Sequence, residues 1–461
     1  MCMVMRFLNL LVWIFVFVVG SSTGFSAQTT TVFEGARLII GDGTPSVEDA
    51  TIIVRDGLIE RTGQGDQIQA PGETVRVDLS GKTVMPMLLN VHGHIGYLKG
   101  VSVDLKNYDR ENILNHLHRL SYYGVGAFQS LGTDRDDLEL RIRDEQRLGR
   151  LESATALLTA GLGIVAPNKN GVNGGPSFAA DVVLEADTPD EGRRHVRALI
   201  NKKVDIIKIW VDDRRGTKPK MKPEVYRAII DEAHTHDMRV VAHVYYLDDA
   251  KALVRAGIDG FAHLVRALPG VDEELARLMK EKDVFACSTM GIQWRAVGDA
   301  SWLDDPSLAE TVAQDVLDKL RVRGSSGRVA RDTEAARQMF VGLQHSIKKL
   351  HDAGVRIGLC CDTGITGSFP GFAEHRELEM MVNAGIPPMD VIRAGTQTSA
   401  SILGLEERGT LTPGKRADFI VLDANPLERI QNTRRIVAVY SGGRLIDRDA
   451  LRKQWSKASK P

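Results

Sequence analysis

The sequence predicts an α/β protein, a (β/α)₈ barrel with β-rich segments at both ends of the chain. Short apolar runs alternate with amphipathic helical stretches, which is typical of βα units around a parallel sheet. Eight such runs can be counted, the strand number of this barrel, and 461 residues leave room for a smaller companion domain. The runs cover residues 84–92, 124–131, 154–161, 204–210, 239–243, 260–263, 284–290 and 355–362.

Both ends of the chain carry the turn residues and apolar runs of short strands. Near the start, runs at residues 36–40, 50–54 and 58–61 are separated by turns, and Asp56-Gly57 is a strong hairpin signal. The far end has runs at residues 417–422, 436–440 and 444–446 with a Gly442-Gly443 turn. A long segment from Gly291 to about Ala335 precedes the last helix and is interpreted as a lid or a wall of the site.

The first residues have the layout of a secretory signal peptide. Arg6 precedes an apolar run over residues 7–19, and small and polar residues follow at 20–24. The apolar run is short for a bilayer span of about 20 residues. A cleaved signal over residues 1–27 is therefore the preferred interpretation, and an uncleaved anchor is the alternative. A cleaved signal would make the mature protein an exported one, periplasmic or secreted, with no membrane attachment.

The composition gives no indication of nucleic-acid binding, and the predicted partner is a small-molecule substrate. Lys and Arg total 59 against 60 Asp and Glu, so the net charge indicates no attraction to nucleic acid or to an anionic membrane. Cys287, Cys360 and Cys361 remain after signal cleavage and are interpreted as buried small residues. A bond between Cys287 and one of the other two is the alternative. The sequence leaves open whether the protein forms a homo-oligomer.

One of the three His-x-His pairs in the chain is suited to binding a metal ion. Residues i and i+2 share a face of a strand but diverge by about 200° around a helix. The pairs at residues 116 and 118 and at 234 and 236 lie in helix-like stretches. His92 and His94 instead end an apolar strand, and Gly93 allows the backbone to approach closely. Both imidazoles can therefore point at one ion.

Four further residues at predicted strands complete a candidate metal site. His243 and His263 end two successive runs, and neutral imidazole is a favoured ligand of Zn²⁺. Asp362 ends the eighth run, where a carboxylate can bind a metal and move a proton; a helix cap is the alternative. Lys208 lies in an apolar strand, where a buried ammonium is costly. It either becomes a carboxylate by reacting with carbon dioxide, or reaches the barrel mouth or a nearby Asp.

The order of these residues resembles the amidohydrolase superfamily, in its group of imidazolonepropionase, prolidase-type dipeptidases and ochratoxinase. The pattern is His-x-His, Lys, His, His and Asp on strands one, four, five, six and eight. Residues 77–86 resemble the family's entry into strand one, and residues 396–404 and 409–422 its return to a β-sandwich. The resemblance covers nearly the whole mature chain. It implies a metal-dependent hydrolase barrel over residues 85–397 and a composite β-sandwich from residues 28–84 and 398–461.

The resemblance also implies a role for each ligand. His92, His94 and Asp362 would bind one divalent ion, His243 and His263 the other, and carboxylated Lys208 would bridge the two. Zinc is the preferred ion, with Mn²⁺, Fe²⁺ or Co²⁺ as alternatives. The ions would share a hydroxide that attacks the substrate carbonyl. Asp362 would take up the proton and pass it to the leaving nitrogen.

Substrate specificity is expected to come from loops beyond the strand ends. Met87 and Asn90 stand where the family commonly has Gly and Asp, and residues 167–176 lack a histidine that many relatives have there. These departures spare the ligands but leave the substrate open. Arg266 is a candidate partner of a substrate carboxylate, with an internal Asp as its alternative. The residues expected to line the pocket, each with core packing as its alternative, are Tyr97, Gln129, Tyr245, Tyr246, Arg266 and His375.

The preferred function is a binuclear amidohydrolase that cuts the C–N bond of an amide, a cyclic amide or a dipeptide. One alternative is a mononuclear deaminase-like or lactonase-like enzyme of the same fold, with Lys208 unmodified. Another is a secreted binding protein without turnover, against which the six ligand-type residues argue. The chain has no Gly-x-Ser-x-Gly motif that would favour a serine nucleophile.

Overall fold

A computed structural model describes residues 30–458, apart from 70, 71, 73, 153, 170, 171, 295, 296, 298 and 326–332. The predicted signal peptide over residues 1–27 lies outside the described residues. Among the helices that are described, none is long and apolar enough to cross a membrane.

Strands and helices alternate through the middle of the chain, whereas its two ends consist mainly of strands. In chain order, the strands within the described residues are β1 (Thr30–Leu38), β2 (Val47–Arg55), β3 (Leu58–Gln64), β4 (Val75–Asp78), β5 (Thr83–Pro86), β6 (Leu88–Gly93), β7 (Leu98–Lys99), β8 (Ser102–Val103), β9 (Val125–Ser130), β10 (Ala156–Thr159), β11 (Gly163–Val165), β12 (Val183–Glu185), β13 (Ile207–Val211), β14 (Val240–Val244), β15 (Gly260–Phe261), β16 (Phe285–Cys287), β17 (Ile357–Gly358), β18 (Phe419–Leu422), β19 (Ile436–Ser441) and β20 (Arg444–Leu445). The α-helices are α1 (Arg110–Tyr122), α2 (Leu138–Arg147), α3 (Pro189–Asn201), α4 (Pro223–His234), α5 (Leu247–Arg255), α6 (Glu273–Glu281), α7 (Gly291–Trp294), α8 (Pro306–Ala309), α9 (Gln314–Ser325), α10 (Thr333–Asp352), α11 (Phe372–Asn383), α12 (Pro388–Arg393), α13 (Ser399–Leu403) and α14 (Arg448–Ala458).

One sheet is built from both ends of the chain. Its strands follow the order β20-β19-β18-β5-β1-β2-β3, and β4 also pairs with β1. The predicted hairpin is confirmed, because β2 and β3 pair antiparallel around Asp56 and Gly57, which both have positive φ. Phe33 from β1 packs edge-on against Phe419 of β18. The prediction of β-structure at both chain ends is therefore confirmed.

The middle of the chain forms two parallel sheets. One has the strand order β10-β9-β6, and the other has the order β12-β11-β13-β14-β15-β16-β17. Each of the eight predicted apolar runs overlaps one of these strands, and at least one helix lies between each of these eight strands and the next of the eight. The prediction of an alternating α/β chain is therefore confirmed. The short strands β11 and β12 were not predicted, since neither belongs to a long apolar run.

The first predicted apolar run, 84–92, is divided between two sheets. Its first part lies in β5, which pairs with β1 and β18 in the sheet formed by the chain ends. Its second part lies in β6, which pairs with β9. Pro86 has no backbone N–H with which to continue a ladder, and the chain changes partners after it. The expectation of one continuous strand is wrong for this reason.

Hydrogen bonds join the two parallel sheets at both of their borders. At one border, Val91 N donates to the carbonyl oxygen of Leu359 at 2.9 Å, which ties β6 to the residues after β17. At the other, only three residues separate β10 from β11, and Gly163 N donates to the carbonyl oxygen of Gly132 at 3.0 Å. Because the strands run parallel, their carboxyl ends face a common side.

Cys287 in β16 and Cys360 just after β17 form a disulfide bond. The strands β16 and β17 are neighbours in the sheet, and Cys287 is in register with Gly358. Cys361 is a free thiol, and all three cysteines are buried. The burial is as expected, while the pairing is the alternative that the sequence left open.

Candidate metal centre

His92 and His94 lie at the end of β6 and share one partner, Asp362. The Nδ1 atom of His92 lies 2.9 Å from the carbonyl oxygen of Ala262. The Nδ1 atom of His94 lies 3.0 Å from Oγ1 of Thr133. The Nε2 atoms of the two rings lie 3.5 and 3.2 Å from Oδ1 of Asp362. Metal-binding histidines are commonly held in this way through their second ring nitrogen.

A tight turn brings Asp362 to these two rings. Asp362 has a φ of +48°, which is rare for a residue with a side chain. Gly364 follows it at a point of close approach, since a Cβ there would lie 1.6 Å from the carbonyl oxygen of His94. The ligand atoms of His92, His94 and Asp362 all lie within 4.8 Å of one another. The three predicted ligands of the first ion therefore converge.

His243 and His263 stand beside this cluster. Their ring centroids are 4.4 Å apart, and the ring of His263 is 4.8 Å from that of His92. Burial lowers the pKa of His243 to about 3 and holds the pKa values of His92 and His263 well below the ordinary value. These rings are consequently neutral near pH 7, which is the form that binds a metal.

Lys208 is fully buried in β13. Its Nζ lies 5.1 Å from the ring centroid of Trp210 and makes no hydrogen bond within the part of the chain that is described. Burial lowers the pKa of this amine to about 7, with Arg214 and Arg266 acting in the same direction and Asp362 against it. The amine therefore loses its proton near neutral pH.

All six predicted ligands line a single cavity of about 860 Å³. Ile292, in the segment interpreted as a lid or a wall, also lies on its lining. The lining also includes charged and aromatic residues that sequence analysis did not single out, among them Phe178, Trp210, Arg214 and Lys218. The sequence did contain a signal for Arg214 and Lys218. Both follow the carboxyl end of β13, and the predicted ligands lie at the carboxyl ends of the strands.

The donor atoms at this centre fit a divalent metal ion. His92 Nε2, His263 Nδ1 and Lys208 Nζ are buried and make no hydrogen bond to any described residue. A buried polar atom left in this state costs about 1–3 kcal/mol. Neutral imidazoles with a carboxylate are a donor set that Zn²⁺ and related ions bind. A bound ion would satisfy these atoms.

Arg266 is on the cavity lining, as predicted, whereas the other five predicted specificity residues are not among the lining residues. His375 is fully buried in α11, and its Nε2 lies 2.8 Å from the carbonyl oxygen of Tyr123. Tyr97 is fully buried and donates its hydroxyl to the carbonyl oxygen of Thr133 at 2.7 Å. Internal hydrogen bonds therefore hold these two side chains.

The remaining three are also not among the residues that line the cavity. Gln129 is buried in β9. Tyr246 donates its hydroxyl to Oδ1 of Asp213 at 3.1 Å. The ring of Tyr245 lies 5.3 Å from Cζ of Arg266 and so supports the side chain that does line the cavity. A direct contact of these residues with substrate stays a prediction.

A comparison with protein-family models finds that the model of the amidohydrolase family matches residues 83–446. The chain belongs to the amidohydrolase family. The resemblance stated from the sequence is confirmed, and so is the prediction of an amidohydrolase. Amidohydrolases generally use divalent metals, and His92, His94 and Asp362 supply a buried cluster of suitable ligands.

This amidohydrolase is 27% identical to ochratoxinase from Aspergillus niger, over 91% of its own length and 87% of that sequence. It is 23% identical to enamidase from Eubacterium barkeri, over 84% of its own length and 85% of that sequence. Among solved structures it resembles a Xaa-Pro dipeptidase with bound methionine in the active site, with a TM-score of 0.70 and 21% identity over 91% of this chain and 100% of that one. The last likeness is one of fold.

Proposed function

We propose that this protein is a binuclear metal-dependent amidohydrolase that cuts an amide C–N bond of a small molecule. The observation that carries the proposal is the convergence of six ligand-type side chains on one cavity, namely His92, His94, Lys208, His243, His263 and Asp362. Burying that many polar and ionisable groups together is costly unless they bind something.

We further propose that the two parallel sheets are arcs of one closed (β/α)₈ barrel over residues 85–397. The hydrogen bonds at both sheet borders support closure. The position of the ligands supports it as well, because active sites of such barrels lie at the carboxyl ends of the strands. In this proposal residues 28–84 and 398–461 form the composite β-sandwich.

In the proposed site His92, His94 and Asp362 hold one ion and His243 and His263 the other. Lys208, once carboxylated, would contact both. Its lowered pKa supports the modification, because an uncharged amine can attack carbon dioxide. The histidine-rich donor set favours zinc, with Mn²⁺, Fe²⁺ and Co²⁺ as alternatives. Such ions polarise a substrate carbonyl and lower the pKa of water.

Asp362 is the proposed general base and general acid. It lines the cavity, and its Oδ1 lies near the Nε2 atoms of His92 and His94. A carboxylate in this position can accept a proton from the attacking water and deliver it to the leaving nitrogen.

We propose that the substrate carries a carboxylate beside the bond that is cut, as a dipeptide or an N-acyl amino acid does. The Arg266 side chain is only 16% exposed, and its Nε makes no hydrogen bond within the described residues. Its Nη2 lies 2.9 Å from Nε2 of His243 and 3.9 Å from Oδ2 of Asp212, an oxygen that Arg214 also approaches at 3.4 Å. One internal carboxylate therefore faces two guanidinium groups, and a substrate carboxylate would balance the charge.

A one-ion enzyme is the second candidate. Among the described residues, His92, His94 and Asp362 form the cluster of three His, Cys, Asp or Glu residues that could hold a metal ion. This favours occupancy of the first site alone, with Lys208 unmodified, as in a mononuclear deaminase-like or lactonase-like enzyme.

Export of the protein remains part of the proposal. Arg6 and the apolar run over residues 7–19 have the layout of a signal peptide. The disulfide between Cys287 and Cys360 supports export, because disulfides persist mainly in oxidising compartments.

The test is to reconstitute metal-free protein with Zn²⁺, Mn²⁺, Fe²⁺ or Co²⁺ and assay it against dipeptides, N-acyl amino acids, neutral amides and lactones. His92→Ala serves as the blank. The proposal expects about two ions per chain, hydrolysis of the carboxylated amides and no activity in the blank. One ion per chain with deaminase or lactonase activity would favour the second candidate. Wild-type protein that neither binds metal nor hydrolyses any of these compounds would overturn both.

A further inference from the structure

A second buried carboxyl group, that of Glu374, lies next to the metal centre and has no part in the proposed reaction. Glu374 is in the first turn of α11 and is fully buried. Its Oε1 accepts hydrogen bonds from Nδ2 of Asn90 at 2.6 Å and from Oγ1 of Thr363 at 2.7 Å. Its Oε2 accepts one from the backbone N of Gly371 at 2.8 Å. An anion is favoured at this end of a helix.

The two side chains bound by Glu374 lie on the segments that carry the ligands. Asn90 is two residues before His92, and its Oδ1 accepts a hydrogen bond from the backbone N of His92 at 2.9 Å. Thr363 follows Asp362 directly, and its carbonyl oxygen accepts one from the backbone N of His94 at 2.7 Å. Asn90 Nδ2 also lies 3.2 Å from Oγ1 of Thr363. Glu374 therefore ties the end of β6 to the Asp362 turn.

The Asp362 turn needs such a restraint. A residue with a side chain at a φ of +48° stores strain of order 1–3 kcal/mol, which persists only where the surroundings enforce the conformation. Hydrogen bonds hold both neighbours of Asp362. Thr363 is held by Glu374 and His94, and the carbonyl oxygen of Cys361 accepts a hydrogen bond from Oγ of Ser368 at 3.2 Å. Without them the turn can relax toward ordinary backbone geometry, which carries the Asp362 carboxylate away from the two imidazoles.

Asn90 and Glu374 are also chemically matched. A backbone N–H can only donate, so the Asn90 oxygen must face His92 and its amide NH₂ must face Glu374. Aspartate at position 90 would place a second carboxylate oxygen at that short distance from Glu374. Two carboxylates so close must share a proton or repel each other.

We propose that Asn90 and Glu374 are a matched pair of positioning residues that sets the metal affinity of the cluster formed by His92, His94 and Asp362. The inference rests on the proposed metal-dependent function. The pair acts through the backbone of His92 and through Thr363, and neither Asn90 nor Glu374 is among the residues that line the cavity.

A reciprocal exchange tests the pair. Asn90→Asp places two carboxylates against each other. In Glu374→Gln the NH₂ of the new amide must face another donor, either the NH₂ of Asn90 or the backbone N–H of Gly371. The double variant Asn90→Asp/Glu374→Gln restores complementarity, since the amide introduced at position 374 can donate to the carboxylate introduced at position 90 while its oxygen accepts from Gly371 N–H.

The readouts are the dissociation constant for Zn²⁺, measured by competition with a chromogenic chelator, and thermal unfolding of the metal-free protein. Each single variant is expected to weaken Zn²⁺ binding by about 10- to 100-fold, and the double variant to return within about threefold of wild type.

Glu377→Gln is the matched control. Glu377 is buried on the same helix and accepts hydrogen bonds from the backbone N of Met290 and Gly291 at 2.7 and 2.9 Å. Its loss is expected to change unfolding but not Zn²⁺ affinity. Thr363→Val, which removes the hydroxyl link to Glu374 while keeping the shape, replaces Glu374→Gln if the latter does not fold, and it is expected to weaken Zn²⁺ binding.

Three results would count against the pair. Single variants that bind Zn²⁺ as wild type does, a double variant as weak as the two single losses combined, or unchanged affinity in Thr363→Val would each overturn this inference alone. Wild-type protein that binds no metal would instead overturn the proposed function, and this inference with it.

Discussion

The Nε2 atom of His243 lies 2.9 Å from Oδ2 of Asp212, the residue that directly follows β13. The same nitrogen lies 2.9 Å from Nη2 of Arg266. In the tautomer whose Nε2–H is donated to Asp212, the Nδ1 lone pair is left as the donor of the ring. Such a contact also fixes the ring orientation. Asp212 therefore prepares His243 to bind the proposed second ion.

We predict that Asp212→Asn weakens the second metal site. An amide in this place no longer favours the proton on Nε2, so the affinity of that site should fall by about 10- to 100-fold. Metal content at limiting Zn²⁺ should drop from about two ions to about one per chain. Asp213→Asn is the control, since Asp213 accepts a hydrogen bond from Tyr246 instead. Two ions retained at full affinity in Asp212→Asn would contradict the role given to this contact.

Lys208→Ala should remove the proposed bridging group. We expect fewer than two ions per chain and a loss of kcat of more than about 100-fold, since even groups that only support a ligand cost 10- to 100-fold. If Lys208 acts as a carboxylate, added propionate should restore part of the activity, whereas neutral propionamide should not. Full activity with two ions in the variant would exclude a bridging lysine.

Arg266→Met tests recognition of a substrate carboxylate. A hydrogen bond to a charged group contributes about 1.5–3 kcal/mol, so kcat/KM for a carboxylated amide should fall by roughly 10- to 100-fold. The matching substrate with its carboxylate converted to an amide should be affected much less. Lys218→Met, which changes another cation of the cavity lining, is the control. Equal losses on both substrates would argue against an ion pair between Arg266 and the substrate.

Glu377→Gln should change how stability depends on pH. Burial raises the pKa of Glu377 to about 7 from an ordinary value of 4.5. Between these values the folded protein keeps a proton that the unfolded chain has released, so the wild-type free energy of unfolding should fall as pH rises from about 4.5 to 7 and not above. The variant should lack this part of the slope. The measurement is the difference between the wild-type and variant free energies of unfolding, obtained by urea unfolding at several pH values. Parallel profiles would contradict the raised pKa.

Replacing Cys287 and Cys360 by Ala should lower the free energy of unfolding by about 2–4 kcal/mol, because their bond restrains the unfolded chain. Urea unfolding under non-reducing conditions provides the measurement. Wild-type protein reduced in the unfolded state should match the double variant, and Cys361→Ala, which removes a free buried thiol, should cost less. Equal stability of wild type and the double variant would show that the bond does not form in solution.

Much of the fold and the candidate ligands could be predicted because they depend on local properties of the sequence. Apolar runs with alternating helical patterns indicate parallel strands, and the residue at the end of a run is placed at the end of its strand. His92 and His243 were found in this way, whereas Asp362, which ends its apolar run, lies in a turn four residues after the end of β17. Lys208 needed the resemblance to a known family, since a lone Lys in an apolar strand has several explanations.

Two features could not be predicted in the same way. They are the division of the first apolar run between β5 and β6, and the identity of the residues that line the cavity. Tyr97 and His375 carry the chemistry expected of a binding site, yet each is held by an internal hydrogen bond. Arg214 and Lys218 line the cavity because of where the chain after β13 folds back. Side-chain type alone does not decide between these outcomes.

The sequence by itself determined the approximate positions of most strands, the β-structured chain ends and the six candidate metal ligands, because periodicity and residue chemistry are local properties of a sequence. Only the tertiary structure decided which groups meet. The contacts of Asn90 with Glu374, of Asp212 with His243 and of Cys287 with Cys360 join positions far apart in the chain. Such contacts depend on how neighbouring strands and helices are aligned, which no local pattern specifies.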